Sequence, residues 1–224
     1  MSTIVDERDA FGERLRGERR VRGWSMDRLA AASGVSRAMI SKIERGESSP
    51  TAVLLGKLSA ALELSVSELL SVSEPLSVSE PRTGARLGDE AQPRSAQRPS
   101  ADADVGDGRD GAGRVRRAAD IPQWRDPDTG YRRRQISTAG FPAAVTEVTL
   151  PPHASVPYPA AAYAFIAQLV WVLAGQLTLT DGAQRRVLAV GDTFELGQPR
   201  AREFRNDTDE ECRYVVVVTR KSTA

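Results

Sequence analysis

The spacing of apolar residues changes twice along this chain, and that change constrains its fold more than any other feature of the sequence. Over residues 11–70, apolar side chains recur at the spacing of a helix. Over residues 115–221 they alternate with polar side chains in short runs divided by Gly and Pro, which is typical of β-strands. The segment between them is rich in Pro, Gly, Ser, Asp and Arg and holds almost no large apolar residue. The pattern therefore predicts two folded domains of different class.

The predicted domain boundaries follow these shifts in composition. A helical domain takes residues 11–72, a linker takes 73–114, and a β-domain takes 115–224. The linker cannot bury enough apolar area to offset the entropy lost on ordering, so we expect it to be disordered. A chain of 224 residues is long enough for two small domains.

The charge and the rare residue types exclude several classes of protein. There are 31 basic and 30 acidic residues, a balance that excludes a uniformly basic coat protein for nucleic acids but allows a local basic patch. The single cysteine, Cys212, excludes an intrachain disulfide. The single histidine, His153, excludes a multi-histidine metal site within one chain.

We expect a cytoplasmic protein with no membrane partner. The first residues, 1–7, lack the basic start and apolar run of a secretory signal. The longest apolar stretch, 160–174, is interrupted by Gln168 and is shorter than the roughly 20 residues of a membrane-spanning helix.

Helix-capping residues divide the N-terminal domain into short helices. Ser25, Ser36 and Thr51 are of the type that begins helices, and Gly34 can adopt the positive φ that a tight turn needs. Only four residues, 33–36, separate the second helix from the third, so the two must cross steeply as in a helix-turn-helix. The predicted helices are 11–22, 26–32, 37–45, one that begins after Thr51, and 66–70.

The runs 29–36 and 40–46, followed by Pro50, resemble the phage-repressor-like (XRE) helix-turn-helix family. The resemblance covers residues 11 to about 70 and implies that helix 37–45 lies in the major groove of double-stranded operator DNA. Carried over residue by residue, it predicts a DNA-binding set of Ser36, Arg37, Ala38, Ser41, Lys42 and Arg45.

The predicted contacts follow from the chemistry of these side chains. Arg37 and Lys42 can donate to guanine O6 and N7, and Ala38 can meet a thymine methyl group. Ser36 and Arg45 are assigned to phosphates. The surrounding residues, 11–58, hold ten basic and five acidic side chains, which favours DNA over the alternative of a helical protein-interaction module.

Two other positions of the helical domain are informative. The family resemblance implies that Arg19 and Glu44 form a buried structural ion pair and do not contact DNA. Met26 differs from the family, because a phosphate-binding Gln is common at that place. Backbone N–H groups at this helix terminus can still serve a phosphate.

The β-domain contains many short strands at near-regular spacing. Such a pattern indicates a closed or double-sheet antiparallel fold, as in jelly rolls and cupins. The predicted strands are 144–150, 167–173, 176–180, 185–188, 193–196 and 214–219.

The runs 170–177 and 188–193, followed by Phe204-Arg205-Asn206, resemble the two motifs of the cupin family. Together with the helical domain they resemble regulators that join a helix-turn-helix to a cupin sensor. The resemblance implies a multi-domain protein: an all-α helix-turn-helix domain and an all-β cupin of the double-stranded β-helix or jelly-roll type. The disordered linker would join the two.

The metal ligands of cupins are missing from this sequence. A metal-binding cupin offers two His, a Glu and a further His, and the matching positions here are Tyr158 to Ala160, Gln168 and Arg202. None is a usable ligand of the expected kind. We therefore predict a metal-free cupin with no cofactor and no catalytic residues.

The same positions define a candidate pocket. Tyr158, Gln168, Trp171 and Arg202 could hold a small anion or a planar molecule, or they could simply fill the barrel or lie outside it. The run Arg132-Arg133-Arg134 is predicted to be a solvated strand face that does not extend the DNA contact.

The leading hypothesis is a sequence-specific transcriptional regulator, expected to be a repressor, whose cupin senses a small-molecule effector, dimerises, or does both. A homodimer would hold two recognition helices about 34 Å apart. One alternative is an antitoxin-like or other interaction protein with a structural cupin. Another is a cupin enzyme with a DNA-targeting domain. Catalysis would need an acid–base pair, and Glu195 and Glu203 are the only nearby carboxylates, so we expect no enzyme.

Overall fold

The computed structural model describes residues 3–70, 115–138 and 140–221, and the side chains from residue 10 onward in the first helix. The predicted disordered linker, 73–114, lies outside the described residues. Five α-helices come first in the described chain and ten β-strands follow. No helix in the described ranges is long and apolar enough to cross a membrane.

The helical domain has the predicted number of helices with the predicted caps. The hydroxyls of Ser25, Ser36 and Thr51 each accept a hydrogen bond from a backbone N–H three residues further on. Gly34 ends the second helix at φ 64°. The helices are α1 (Thr3–Val21), α2 (Met26–Ser33), α3 (Arg37–Glu44), α4 (Ala52–Leu62) and α5 (Val66–Leu70).

The apolar spacing predicted that the first helix begins at Phe11, but it begins at Thr3. The residues before Phe11 contain no Gly or Pro that would stop a helix. They also carry few of the large apolar side chains on which the prediction relied. The helix is therefore longer than the spacing of large apolar side chains predicts.

A buried ion pair joins α1 to α3, as the family resemblance implied. Nε and Nη2 of Arg19 lie 2.6 Å from the two carboxylate oxygens of Glu44. Nη1 of Arg19 also donates to the carbonyl of Trp24 at 2.9 Å. Both charged side chains are buried among apolar residues such as Leu15 and Ile40. The pair thus fixes α3 in the domain and is not available to DNA.

Two antiparallel sheets form the β-domain, which confirms the predicted double-sheet fold. The larger sheet has the order β1-β2-β3-β10-β5-β8, and the smaller has β4-β9-β6-β7. The strands are β1 (Gln123–Arg125), β2 (Arg132–Gln135), β3 (Ala144–Leu150), β4 (Ser155–Tyr158), β5 (Ile166–Ala174), β6 (Leu177–Asp181), β7 (Gln184–Leu188), β8 (Thr193–Leu196), β9 (Arg202–Arg205) and β10 (Cys212–Arg220).

All six predicted strands are present, and four strands were not predicted. The missed strands β1, β2, β4 and β9 contain only three or four residues each, and runs this short carry a weak periodic signal. Side chains of both sheets meet in one apolar core. In it the ring of Phe204 stacks on Tyr214 and meets the edge of Tyr158, with centroids 6.0 Å apart in each pair.

The three consecutive arginines of β2 do not all face solvent. Arg132 and Arg134 pair with Glu211 and Glu147 at the surface, at 2.5 Å in each case. Arg133 points the other way and is 8% exposed. Successive residues of a strand face opposite sides, so the prediction of a solvated face is wrong for the central arginine.

Helix α4 packs directly against the barrel. The backbone N–H of Ala52 donates to Oδ1 of Asp126 at 3.1 Å, across the boundary between the domains. Gly56 lies against Tyr158, and a Cβ atom at this glycine would approach the Tyr158 ring to 2.8 Å. A glycine at this position therefore allows α4 to pack closely against Tyr158 of β4.

Helix α5 makes polar contacts with the larger sheet. The hydroxyls of Ser67 and Thr146 lie 2.9 Å apart. Glu68 pairs with Arg220 at 2.9 Å on the surface. Val66 packs against the apolar cores of both domains. The two domains thus share one packed boundary in this structure.

The contact between Asp126 and α4 gives a stability prediction. Asp126 is 1% exposed, and its carboxylate also accepts from the N–H and hydroxyl of Thr129. Asp126→Ala leaves the buried N–H of Ala52 unpaired, which should lower the free energy of unfolding by about 1–3 kcal/mol. Urea unfolding followed by tryptophan fluorescence measures the change.

The neighbouring Asp128→Ala is the matched control, because Asp128 is exposed in the same turn. It should change the free energy of unfolding by less than about 0.5 kcal/mol. Equal effects of the two substitutions would show that Asp126 does not hold the domains together.

Candidate functional site

The recognition helix α3 presents most of the predicted DNA-binding residues on one exposed surface. Arg37, Ala38 and Lys42 are exposed, and Ser41 is half-buried. Ser36 is exposed as well, and its hydroxyl accepts the N–H of Met39 at 3.2 Å. That cap fixes the end of α3 that a major groove would receive.

The arginines at the two ends of this surface have acidic neighbours. Nη1 of Arg37 lies 3.5 Å from Asp27 of α2, and both side chains are well exposed. Arg45 donates to both carboxylate oxygens of Glu47, at 2.5 and 2.8 Å, and also to the hydroxyl of Ser41. The hydrogen bond from Arg45 lowers the pKa of Glu47. A phosphate at Arg45 would therefore have to compete with Glu47.

Arg28 of α2 is also exposed, and the sequence analysis did not assign it to the DNA-binding set. Its guanidinium lies over the ring of Trp24, 5.5 Å from the ring centroid. The preceding residue, Asp27, is the one that pairs with Arg37. Exposed positive charge is therefore present on α2 as well as on α3. The basic charge of residues 11–58 pointed to such a surface but not to this side chain.

A small cavity of about 40 Å³ lies inside the barrel, at the end that faces the helical domain. Four tyrosines line it together with Arg133, Gln168 and apolar side chains of both sheets. The helical domain supplies part of the wall through the segment that begins α5. The polar lining residues are Ser65, Ser67, Tyr131, Arg133, Tyr158, Tyr163, Gln168 and Tyr214.

Arg133 dominates the electrostatics of this cavity. Its Nη1 donates to the hydroxyl of Tyr131 at 2.8 Å, and its Nη2 donates to the hydroxyl of Ser67 at 3.0 Å. Its Nε is buried and has no hydrogen-bond acceptor among the described residues. No carboxylate of the described residues lies within 4.0 Å of the guanidinium, which remains charged at physiological pH.

The tyrosine hydroxyls around the cavity are neutral donors. Burial raises the pKa of Tyr158, Tyr163 and Tyr214 above the usual value. Tyr131 and Tyr158 have their hydroxyl oxygens 3.4 Å apart. The cavity thus combines one buried cation with several O–H groups, a set that suits an anionic ligand.

The structure brings together only two of the four residues predicted to form a pocket. Tyr158 and Gln168 line the cavity, but Trp171 is 47% exposed on the outer face of β5. Gln168 and Trp171 are three positions apart on one strand, so they must face opposite sides. The pocket prediction differs from the structure here because it did not apply this alternation.

Arg202 is buried but lies behind the cavity wall. Its guanidinium stacks over Tyr163, 4.5 Å from the ring centroid. Its Nε lies 3.0 Å from Oδ1 of Asp181, an ion pair that does not have hydrogen-bond geometry. Its Nη2 donates to the carbonyl of Gln198 at 2.9 Å. This arginine therefore has a carboxylate partner, unlike Arg133.

Sequence reasoning missed the principal polar groups of the cavity. Arg133 was assigned to a solvated face, and neither Tyr131 nor Ser67 was singled out. Alternation within the arginine run could have shown that one of the three faces inward. The role of Ser67 depends on how the domains pack, for which no local signal exists.

The residues at the expected metal positions do not fit a metal ion. Tyr158, Gln168 and Arg202 supply no imidazole or carboxylate donor. Within the described ranges, no three His, Cys, Asp or Glu side chains are grouped so as to hold one. His153 is exposed and contacts Asp209 at 2.9 Å. The metal-free cupin stays a prediction.

Comparisons with known proteins agree with the two domains. A helix-turn-helix family model matches residues 15–69, and a cupin domain model matches residues 146–218. The HTH-type transcriptional regulator SutR of Escherichia coli (strain K12) is 51% identical over 53 residues, which are 24% of this chain and 30% of that protein. The uncharacterized HTH-type transcriptional regulator YazB of Bacillus subtilis (strain 168) is 32% identical over 63 residues, 28% of this chain and 91% of that protein.

A crystal structure of an HTH_3 family transcriptional regulator from Vibrio cholerae shares the whole fold. It has a TM-score of 0.66 at 22% identity, and the match covers 98% of this chain and 100% of that one. The chain spans 30 to 49% of the length of three curated relatives. The helical domain, its exposed recognition helix and these likenesses agree with one another. The chain belongs to the XRE-type helix-turn-helix transcriptional regulators and carries a cupin domain after its DNA-binding domain.

Proposed function

We propose that this regulator binds operator DNA as a homodimer, represses transcription there, and responds to a small molecule in its cupin. The observation that carries the proposal is the position of α5. This helix belongs to the DNA-binding domain, and the segment at its start forms part of the wall of the barrel cavity. A molecule in the cavity would therefore contact the domain that reads DNA.

The DNA contacts are proposed on the exposed surface of α3. Arg37 and Lys42 read base edges, Ala38 and Ser41 face the groove, and Ser36 and Arg45 lie against phosphates. Repression follows if the bound dimer blocks access of RNA polymerase to the promoter.

Substitution of Arg37 or Lys42 by Ala tests the DNA contact. DNA selected from a random pool by the unaltered protein is titrated by fluorescence anisotropy. Each substitution should raise the Kd by roughly tenfold or more, because a good contact to guanine contributes about 1–3 kcal/mol of discrimination. Lys57→Ala is the matched control, since Lys57 is exposed on α4 of the same domain. Unchanged affinity in both Arg37→Ala and Lys42→Ala would refute the proposed interface.

The outer face of the larger sheet is proposed as the dimer interface. Trp171 is 47% exposed there and lies beside Val215 of β10. Leu169 and Val217 are paired next to them, so four apolar side chains share this face. A second copy of the chain can cover such a surface by two-fold symmetry. The partner helices α3 would then read the two halves of a symmetric operator.

Trp171→Glu tests the dimer. A charge at the centre of the apolar face should shift the protein from dimer to monomer at micromolar concentration, as measured by sedimentation velocity. Val187→Glu is the control, because Val187 is 52% exposed on β7 of the other sheet. A Trp171→Glu protein that sediments like the unaltered one would rule out this face.

We also propose that the chain is not an enzyme. Glu203 alternates with the inward-facing Arg202 and Phe204 on β9, so it faces away from the barrel interior. Glu195 is exposed on β8. Neither carboxylate that sequence reasoning had considered for acid–base chemistry lines the cavity.

The proposed metal-free state has a direct test. Full-length protein purified without chelators or added metals should contain well below one transition-metal ion per chain by mass spectrometry of the elements. The reason is that the expected ligand positions lack imidazole and carboxylate donors. One bound ion per chain, retained after dialysis, would contradict the proposal.

A further inference from the structure

Among the described residues, two arginines are buried in the barrel, and only one of them has a carboxylate partner there. Arg202 has the carboxylate of Asp181 at 3.0 Å. Arg133 has only the hydroxyls of Tyr131 and Ser67, and its Nε is unpaired among the described residues. A buried charge without a counter-charge is costly, so a protein that retains one commonly uses it. Arg133 faces a cavity, where a ligand can supply the missing negative charge.

We infer that the cavity binds a small monocarboxylate, which Arg133 holds and which displaces Ser67 of the DNA-binding domain. This inference rests on the proposed function, because it names the effector class of that regulator.

The orientation of Arg133 suits a carboxylate. Nε and Nη2 form one edge of the guanidinium, and a carboxylate binds such an edge through two parallel hydrogen bonds. Nε is unpaired among the described residues, and Nη2 holds the hydroxyl of Ser67 at 3.0 Å. Nη1 is bound to Tyr131 on the other edge and need not move. The carboxylate therefore competes with Ser67 and leaves Tyr131 in place.

The size of the cavity limits the ligand. Its 40 Å³ corresponds to about three water molecules, since one water needs about 10–15 Å³ measured in this way. Acetate is of that size, with two oxygens for Arg133 and one methyl group for the apolar wall of Val216 and Val218. The neutral hydroxyls of Tyr158 and Tyr214 can donate to an anion and do not repel it.

An open groove lies next to the cavity. It has a volume of about 370 Å³ and lies at the boundary between the two domains. Ser65, Ile166 and Val218 line both the groove and the cavity. A small displacement of the segment around Ser65 would connect them.

Ligand binding should weaken the contact between the domains. Ser67 joins Arg133 to Thr146, and Thr146 in turn donates to Gln135 at 2.9 Å. A carboxylate at Nη2 breaks the first of these hydrogen bonds. A ligand shifts an equilibrium between two states only if it binds one of them more tightly. Here the two states are Ser67 bound to Nη2 of Arg133 and Ser67 released from it, and the carboxylate binds only the second. Release of α5 would loosen the DNA-binding domain and lower its affinity for the operator.

Isothermal titration calorimetry of the full chain with sodium acetate tests the site. Sodium chloride at equal ionic strength and neutral acetamide are the reference titrants. We expect saturable binding of acetate, one per chain, and none of acetamide. Arg133→Gln should raise the Kd for acetate by at least about tenfold, which is the loss of one hydrogen bond to a charged group. Binding of acetamide like acetate, or no binding of acetate, overturns the inference.

Arg134→Gln is the matched control, because this arginine lies on the same strand and pairs with Glu147 on the outer face. It should leave the Kd for acetate within about twofold of the original. Ser67→Ala keeps Arg133 and removes its competitor, so it should bind acetate severalfold more tightly than the unaltered chain. Near-ultraviolet circular dichroism shows whether Arg133→Gln folds. If it does not, the test rests on Ser67→Ala, and an affinity of this variant for acetate that is unchanged or weaker refutes the site.

The same preparations are titrated with the selected DNA. Saturating acetate should lower the DNA affinity of the unaltered chain severalfold and leave that of Arg133→Gln unchanged. DNA binding without any acetate binding overturns the ligand inference and leaves the proposed function standing. Acetate binding with no change in DNA affinity overturns the coupling through Ser67. No DNA binding under any condition refutes the proposed function itself.

Discussion

The hydrogen bond from the backbone N–H of Ala52 to the carboxylate of Asp126 joins a helix start in one domain to a turn in the other. The first N–H groups of a helix have no partner within the helix, and a negative charge near them is favourable. Here the barrel supplies that charge. Gly56 then allows α4 to approach Tyr158 at backbone distance. The position of α3 relative to the barrel depends on this boundary, because α4 and α5 pack with α3 in the helical core.

The barrel core is unusual in its polar content. Four tyrosines and two arginines stand where a jelly roll of this size usually places aliphatic side chains. One arginine is balanced by Asp181, and its ring contact with Tyr163 covers the guanidinium. The other, Arg133, connects the interior to Ser67 of α5. A residue of the DNA-binding domain therefore accepts one of the hydrogen bonds from a buried arginine of the barrel. The polar interior of the barrel thus depends on how the two domains pack.

Much of the fold could be predicted because it is encoded locally. Capping by Ser25, Ser36 and Thr51 and the turn at Gly34 depend on a few adjacent residues, and longer strands such as β3 show a clear alternation. The candidate cavity was harder. The prediction that Trp171 lines the pocket was wrong because a shift of one residue along a strand places a side chain on the opposite face. The prediction that Arg133 faces solvent was wrong for the same reason. The contacts that Ser67 and Asp126 make across the domain boundary join residues more than sixty positions apart, so no local pattern reports them.

Helix α5 has two simultaneous roles. Leu69 is fully buried in the helical core, and Ser67, two residues earlier, closes the barrel. A fragment cut to contain the barrel alone would lack this wall and would expose the guanidinium of Arg133 to water. Water would then satisfy Nε and Nη2, and the attraction for a small acid would fall to that of a surface arginine. Crystallographic or calorimetric screens for the proposed effector should therefore use the chain with its helices attached.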